Sequence, residues 1–178
     1  MWPLPDPPPA LLTRRLALLP PTAADEAEFL AAVAASRVLH RPWVAPPSTA
    51  ERYRGFVAHS VPPTHHAWLL RRRDDAALAG CINLTNVVMG VFRSGYLGYF
   101  AFAGQAGQGL MAEGLRAVVR QAFGPLGLHR LEANIQPGNT TSIALVRACG
   151  FVREGYSPKY LKIGGRWRDH ERWARIKP

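Results

Sequence analysis

The sequence predicts a mixed α/β domain: a mostly antiparallel sheet with one parallel strand pair and helices on both faces. Three observations carry that reading. From His66 onward, runs rich in β-branched and aromatic residues alternate with turn-type stretches such as Arg73-Asp74-Asp75, the pattern of an antiparallel meander. The third run leads into Gly104-Gln105-Ala106-Gly107-Gln108-Gly109, then an amphipathic helix and another strand, and a right-handed crossover of this kind makes the flanking strands parallel. Two last strand-like runs around Gly164-Gly165 read as a closing hairpin.

Taken in order, residues 1–10 hold five prolines and one charge, a Pro-rich leader ahead of a single domain over 11–178. Leu11–Leu19 is a short strand-like run stopped by Pro20-Pro21. Thr22 with Asp25 reads as an N-cap with an acidic third position, opening a helix over 23–38. Arg41-Pro42-Trp43-Val44 is a loop carrying a large aromatic, and Ser48 with Glu51 is a capping box for a second helix to about Ser60. Strands follow at His66–Arg72, Leu78–Val88 and Gly95–Phe102. After the glycine loop, Met111, Leu115, Val118 and Ala122 recur at helical spacing up to about Phe123. Arg130–Ile135 is the next strand, Pro137-Gly138-Asn139 caps a short helix ending at Gly150, and Phe151–Lys162 with Arg166–Lys177 form the hairpin.

Composition removes several classes. Of 178 residues, 48% are hydrophobic and 19% charged, an ordinary globular balance. The charge-free stretches Ala76–Phe92 and Ser94–Ala112 are broken by Asn, Gln and Gly, so neither is a membrane helix. The N-terminus lacks the basic and apolar regions of a secretory signal. Cys81 and Cys149 are too few for a disulfide framework or a four-thiolate zinc site. His65-His66 and Asp169-His170-Glu171 alternate faces on strands, so no metal site is expected. The expectation is a cytoplasmic protein with reduced thiols and no membrane partner. A net charge of +10 favours an anionic ligand or partner.

The glycine loop is the most informative segment. Gly104, Gly107 and Gly109 let backbone amides converge where a helix begins, which makes a phosphate site without a cationic side chain. A Walker loop would need Lys-Ser/Thr where Leu110-Met111 stand, and a Rossmann unit would not follow an antiparallel meander. Another pyrophosphate-bearing cofactor suits the loop.

Together these residues resemble the GNAT acyl-CoA N-acyltransferases. Carrying the likeness are the meander feeding Gly107-x-Gly109, the long helix, the parallel strand, Asn139-x-x-Ser142 and Gly150-Phe151. Pro42-Trp43-Val44, Asn83–Val87, Tyr96-Leu97-Gly98-Tyr99, Leu128–Ala133 and Trp167–Glu171 are similar to the branch that acetylates ribosomal-protein N-terminal alanines, the RimJ/RimL type.

The resemblance implies direct attack of an amine on acetyl-CoA. By position, Gly107, Gln108, Gly109, Leu110 and Met111 would hold the pyrophosphate, and Phe100, Ala101 and Phe102 would pair with pantetheine amides as an added strand does. Asn134, on the facing strand, would also contact the cofactor; Asn139 is an N-cap, a cofactor contact, or both. Ser142 would protonate the departing thiolate or hold the water that does, since Val146 stands where many members have Tyr. Lys159 occupies the place where some relatives have an acidic base, so Glu132 is the fallback base, with a structural pairing to Arg130 as its other reading. Trp43, Tyr99 and Tyr160 are expected on the acceptor side, Trp43 as a lid or as a docked aromatic. Gly104 replaces the Arg or Gln usual in that loop.

The expected acceptor is the N-terminal amine of a protein, a ribosomal one first, with ribosomal RNA nearby; the chain would act as monomer or homodimer. A polyamine, aminoglycoside or amino-acid amine is the nearest alternative, and a basic ribosome- or RNA-binding module that keeps the fold without catalysis is the rival from another class. An anionic acceptor groove would favour polycations; a basic rim would favour a ribosomal setting.

Overall fold

The computed structural model describes residues 10–178; the Pro-rich leader expected over 1–10 falls, Ala10 apart, outside the described residues. One eight-stranded sheet runs through the chain: β1 (Leu11–Leu12), β2 (Leu16–Leu19), β3 (His66–Arg72), β4 (Leu78–Val88), β5 (Ser94–Ala101), β6 (Arg130–Ile135), β7 (Val152–Ile163) and β8 (Arg166–Ile176). Its order is β1-β2-β3-β4-β5-β6-β8-β7, antiparallel throughout except for the parallel β5–β6 pair. Helices α1 (Glu26–Ala35), α2 (Arg37–His40), α3 (Ala50–His59), α4 (Leu110–Phe123) and α5 (Thr140–Ala148) cover it.

The helices divide between the two faces, as the mixed fold predicts. On one, Leu115, Val118 and Ala122 of α4 and Val146 of α5 pack on Leu70, Ile82, Leu84, Leu97 and Leu131 of the sheet. On the other, Phe29 and Val33 of α1 and Tyr53 of α3 pack on Leu69, Cys81 and Phe102. Each fully buried Leu or Phe contributes roughly 1.5–3 kcal/mol.

Three local features differ from the sequence reading, each for a visible reason. Leu11–Leu19 is a hairpin of two short strands, because the Thr13 hydroxyl accepts from the Leu16 amide (2.9 Å) and turns the chain. The helix expected over 23–38 begins as a 3-10 turn at Ala23–Asp25 and breaks at Ser36. There the Ser36 hydroxyl donates back to the Ala32 carbonyl (2.6 Å) and accepts from the Ala103 amide (2.8 Å), a side-chain bond that competes with the helix. Thr49, not Ser48, caps α3, accepting from the Arg52 amide at 3.3 Å.

The N-terminal hairpin is tied to α4 through Glu113. Its carboxylate accepts from the Thr13 hydroxyl (2.6 Å), the Arg15 amide (2.8 Å) and Arg15 Nε (2.7 Å). Burial alone would raise its pKa, but these donors outweigh it and hold the group at about 2. A depressed carboxylate contributes its stability above the unfolded pKa of about 4.5 and loses it as pH falls through the folded value. Glu113→Gln should therefore lose about 1–3 kcal/mol at pH 7. In urea unfolding, the gap from wild type should narrow progressively below pH 4.5.

Candidate active site

The site begins where two strands part. β5 and β6 pair from Ser94↔Arg130 to Leu97↔Ala133, after which β5 continues to Ala101 against β4 alone. Alternate residues of an antiparallel strand turn their backbone groups to the same neighbour. The Phe102 amide donates to the Ala79 carbonyl (3.0 Å). With Cys81↔Phe100 and Asn83↔Gly98 in register, Phe102, Phe100 and Gly98 therefore face β4, whereas Tyr99 and Ala101 face the gap. Of the three residues expected to pair with a pantetheine arm, only Ala101 presents its backbone there; Phe102 is buried in the opposite core.

The helical layer takes up part of this open edge. His40 Nε2 lies 2.8 Å from the Ala101 carbonyl, and because a carbonyl only accepts, Nε2 carries the hydrogen. Burial pushes the His40 pKa down, keeping the ring neutral. The backbone of Tyr99 and the Ala101 amide are left toward the gap.

A cavity of about 770 Å³ opens here, bounded by β5, the ends of β6 and α5, the glycine loop, α2 with the Trp43 loop, and the β7–β8 hairpin. Among the described residues, no Asp, Glu, Lys or Arg lines it. Its wall instead carries buried polar atoms without partners: Gln105 Oε1, Asn134 Oδ1 and His40 Nδ1.

The loop bends through its glycines. Gly104, Gly107 and Gly109 have φ of +81°, +77° and +73°, conformations L side chains resist. Gly109 hands directly to α4 at Leu110. The Gln108 side chain donates to the Gly104 carbonyl (2.7 Å) and does not line the cavity. Arg15 Nη1 holds the Gln108 carbonyl at 2.9 Å, an inter-element contact across ninety-three residues that no local motif announces.

Ser142 sits at the other wall. Its hydroxyl is 2.7 Å from the Tyr99 hydroxyl, and its amide donates to Asn139 Oδ1 at 3.2 Å, the N-cap of α5. Burial raises the Tyr99 pKa, with the Ser142 bond acting in the opposite sense, so the phenol stays protonated and can donate. Trp43, Tyr99, Asn134, Asn139, Ser142 and Tyr160 all line the cavity, as do Phe100, Ala101, Gly107, Gly109, Leu110 and Met111.

Glu132 does not. Its carboxylate accepts from Arg130 Nε (2.8 Å), and Arg130 also binds Glu154, so the structural pairing is the one observed. Lys159 also lies off the cavity, its amide donating to Asp169 Oδ1 at 2.8 Å. Trp43 lies against Gly138, where a built Cβ would stand 3.2 Å from the indole, and walls the cavity from a second hollow of about 460 Å³ beside Tyr156 and Trp167. His40 and His170 line the cavity without having been singled out as site residues; the strand alternation through Asp169-His170-Glu171 was the available signal for the second. Among the described residues, no three His, Cys, Asp or Glu cluster as metal ligands, and no helix is long and apolar enough to cross a membrane.

The order of elements and the parted strand pair define an N-acyltransferase-type domain. Residues 15–152 match the acetyltransferase (GNAT) domain, and the chain belongs to that family. It is 42% identical over 97 residues to the [ribosomal protein uS5]-alanine N-acetyltransferase of Escherichia coli, 54% of this chain and 50% of that protein, so it spans about half the length of this curated relative. The structure of Mycobacterium smegmatis RimJ with CoA-disulfide superimposes with a TM-score of 0.82 at 25% identity, covering 90% of this chain and 81% of that one. The ribosomal-protein-S5-alanine acetyltransferase of Vibrio fischeri shares the fold, with a TM-score of 0.84 at 23% identity over 96% of this chain and 100% of that one.

His40→Leu keeps an apolar side chain in place but strands the Ala101 carbonyl. It should cost about 1–3 kcal/mol in urea unfolding at pH 7.5.

Proposed function

We propose that this protein transfers the acetyl group of acetyl-CoA to a single primary amine, the N-terminal amine of a polypeptide, with a ribosomal protein as first acceptor. The observation that carries this reading is the absence of carboxylates from the cavity wall among the described residues. A polyamine or aminoglycoside brings several cations, and desolvating them without carboxylate partners is costly. An α-amine has a pKa of about 8 and must be neutral to attack, so it tolerates a wall of neutral dipoles.

The rim supports the ribosomal setting. Ion pairs among the described residues engage Arg15, Arg54, Arg71, Arg72, Arg130 and Arg153. Lys159, Lys162 and Arg166 on the β7–β8 hairpin are exposed, outside that set, and free to meet a polyanion such as ribosomal RNA. The likeness to the Escherichia coli uS5-alanine enzyme points the same way.

The residues fit the co-substrate. Amides at Gly107–Leu110 and the start of α4 would hold the pyrophosphate. Tyr99 and Ala101 would hydrogen-bond the pantetheine amides along the open edge. Acetyl-CoA supplies an acyl group already activated as a thioester. Ser142, backed by the Tyr99 phenol, would give the thiolate its proton.

Saturating acetyl-CoA should raise the melting temperature, and thiol release should follow addition of N-terminal peptides but not of spermidine or an aminoglycoside. No thermal shift, or a preference for the polycations, would overturn the reading. Ser142→Ala should lower kcat about 100-fold while leaving acetyl-CoA affinity within about twofold.

A further inference from the structure

An amine that attacks must lose a proton, and the acceptor side of the cleft must offer somewhere for it to go. Strand alternation divides the walls of the gap between two faces. Leu97, Ala133 and Ile135 point into the core under α4 and α5, on the side where Tyr99 meets Ser142. Tyr96 and Asn134 point the opposite way. Asn134↔Arg172 and Ile135↔Glu171 are paired in register, so His170, two residues before Arg172, shares the face of Asn134. Ser142 and His170 thus flank the gap from opposite sides.

Among the described residues, His40 and His170 are the only cavity-lining groups that exchange a proton near neutrality. His40 is committed, with Nε2–H on the Ala101 carbonyl and Nδ1 fully occluded. His170 is arranged differently. Its Nδ1 is 2.9 Å from the Arg168 carbonyl, which only accepts, so Nδ1 carries the hydrogen and Nε2 is left with its lone pair.

We infer that His170 Nε2 accepts the proton of the attacking amine. The assignment rests on the acetyl-transfer reading above. In the step, the N–C bond forms and the C–S bond breaks; the amine proton passes to His170, and the thiolate takes a proton from Ser142, replenished through Tyr99. The surroundings of His170 keep it neutral and ready. The Tyr160 ring lies 6.2 Å away, and Ser157 stands opposite on β7. Asp169, on the other face, is engaged by the Tyr156 hydroxyl and the Lys159 amide, and Arg168 contributes its carbonyl. Burial lowers the His170 pKa, with the Arg168 carbonyl and Asp169 pulling weakly upward.

The test compares wild type with His170→Asn, whose side-chain amide can stand in for Nδ1–H, and with His170→Ala. Peptide acetylation by the Asn variant should fall about 100-fold in kcat while the acetyl-CoA thermal shift is retained. Added imidazole should restore turnover to the Ala variant and leave wild type unchanged. Turnover by the Asn variant within about twofold of wild type would overturn the assignment, as would a slow Ala variant that imidazole does not rescue. Wild type that binds acetyl-CoA yet acetylates none of the peptides would instead defeat the acetyl-transfer reading itself.

Discussion

Everything at the centre of this molecule depends on β5 and β6 ceasing to pair after Leu97 and Ala133. Each strand end is pulled by a different anchor. β5 stays with β4; from the helical layer His40 grips its last residue, Ala101, and Ser36 holds Ala103 just beyond it. β6 runs into Gln136, whose side-chain amide donates to the Pro42 and Trp43 carbonyls at 3.2 and 3.1 Å. Backbone groups left unpaired inside a protein are costly. The gap persists because part of its edge is satisfied by side chains and the remainder faces a cavity. Ser36, at the break between α1 and α2, therefore does two things: it ends a helix and holds the chain that enters the glycine loop.

Regular features of this fold were legible because they are written locally. The change of period at His66, the Asn139 cap and the glycine loop each lie within a few residues, and each has one physical cause. The parallel pair was legible from its crossover, but the point where the pairing ends was not, because it depends on anchors from other elements. The same holds within the site. Ser142 could be read from Asn139-x-x-Ser142, but its Tyr99 partner lies forty-three residues away in sequence. Arg15 and Glu113, which shape the glycine loop, are ninety-eight apart. Glu132 illustrates the converse: its neighbour Arg130 is two residues away on the same face, and that local pairing is the one the carboxylate makes.

Charge and chemistry occupy separate places. The chain carries +10, yet no ionised side chain among the described residues lines the cavity, and the loop suited to phosphate uses backbone amides. The surplus cations lie outside, where screening is strong and their value is in steering anionic partners.

That separation also bears on the proton the acceptor must lose. A positive field around a cleft disfavours an ammonium ion within it, and a wall without carboxylates offers nothing to stabilise that ion. Both effects move the amine toward its neutral, nucleophilic form. A carboxylate base would work against this, since its negative charge stabilises the ammonium it is meant to deprotonate. A neutral imidazole with its hydrogen turned away to a carbonyl accepts the proton without that penalty, and the displaced charge then forms near the Tyr160 ring. In such a setting, Lys159 off the cavity and a missing acidic base are compatible with catalysis, because the net charge supplies part of what a carboxylate would otherwise have to provide.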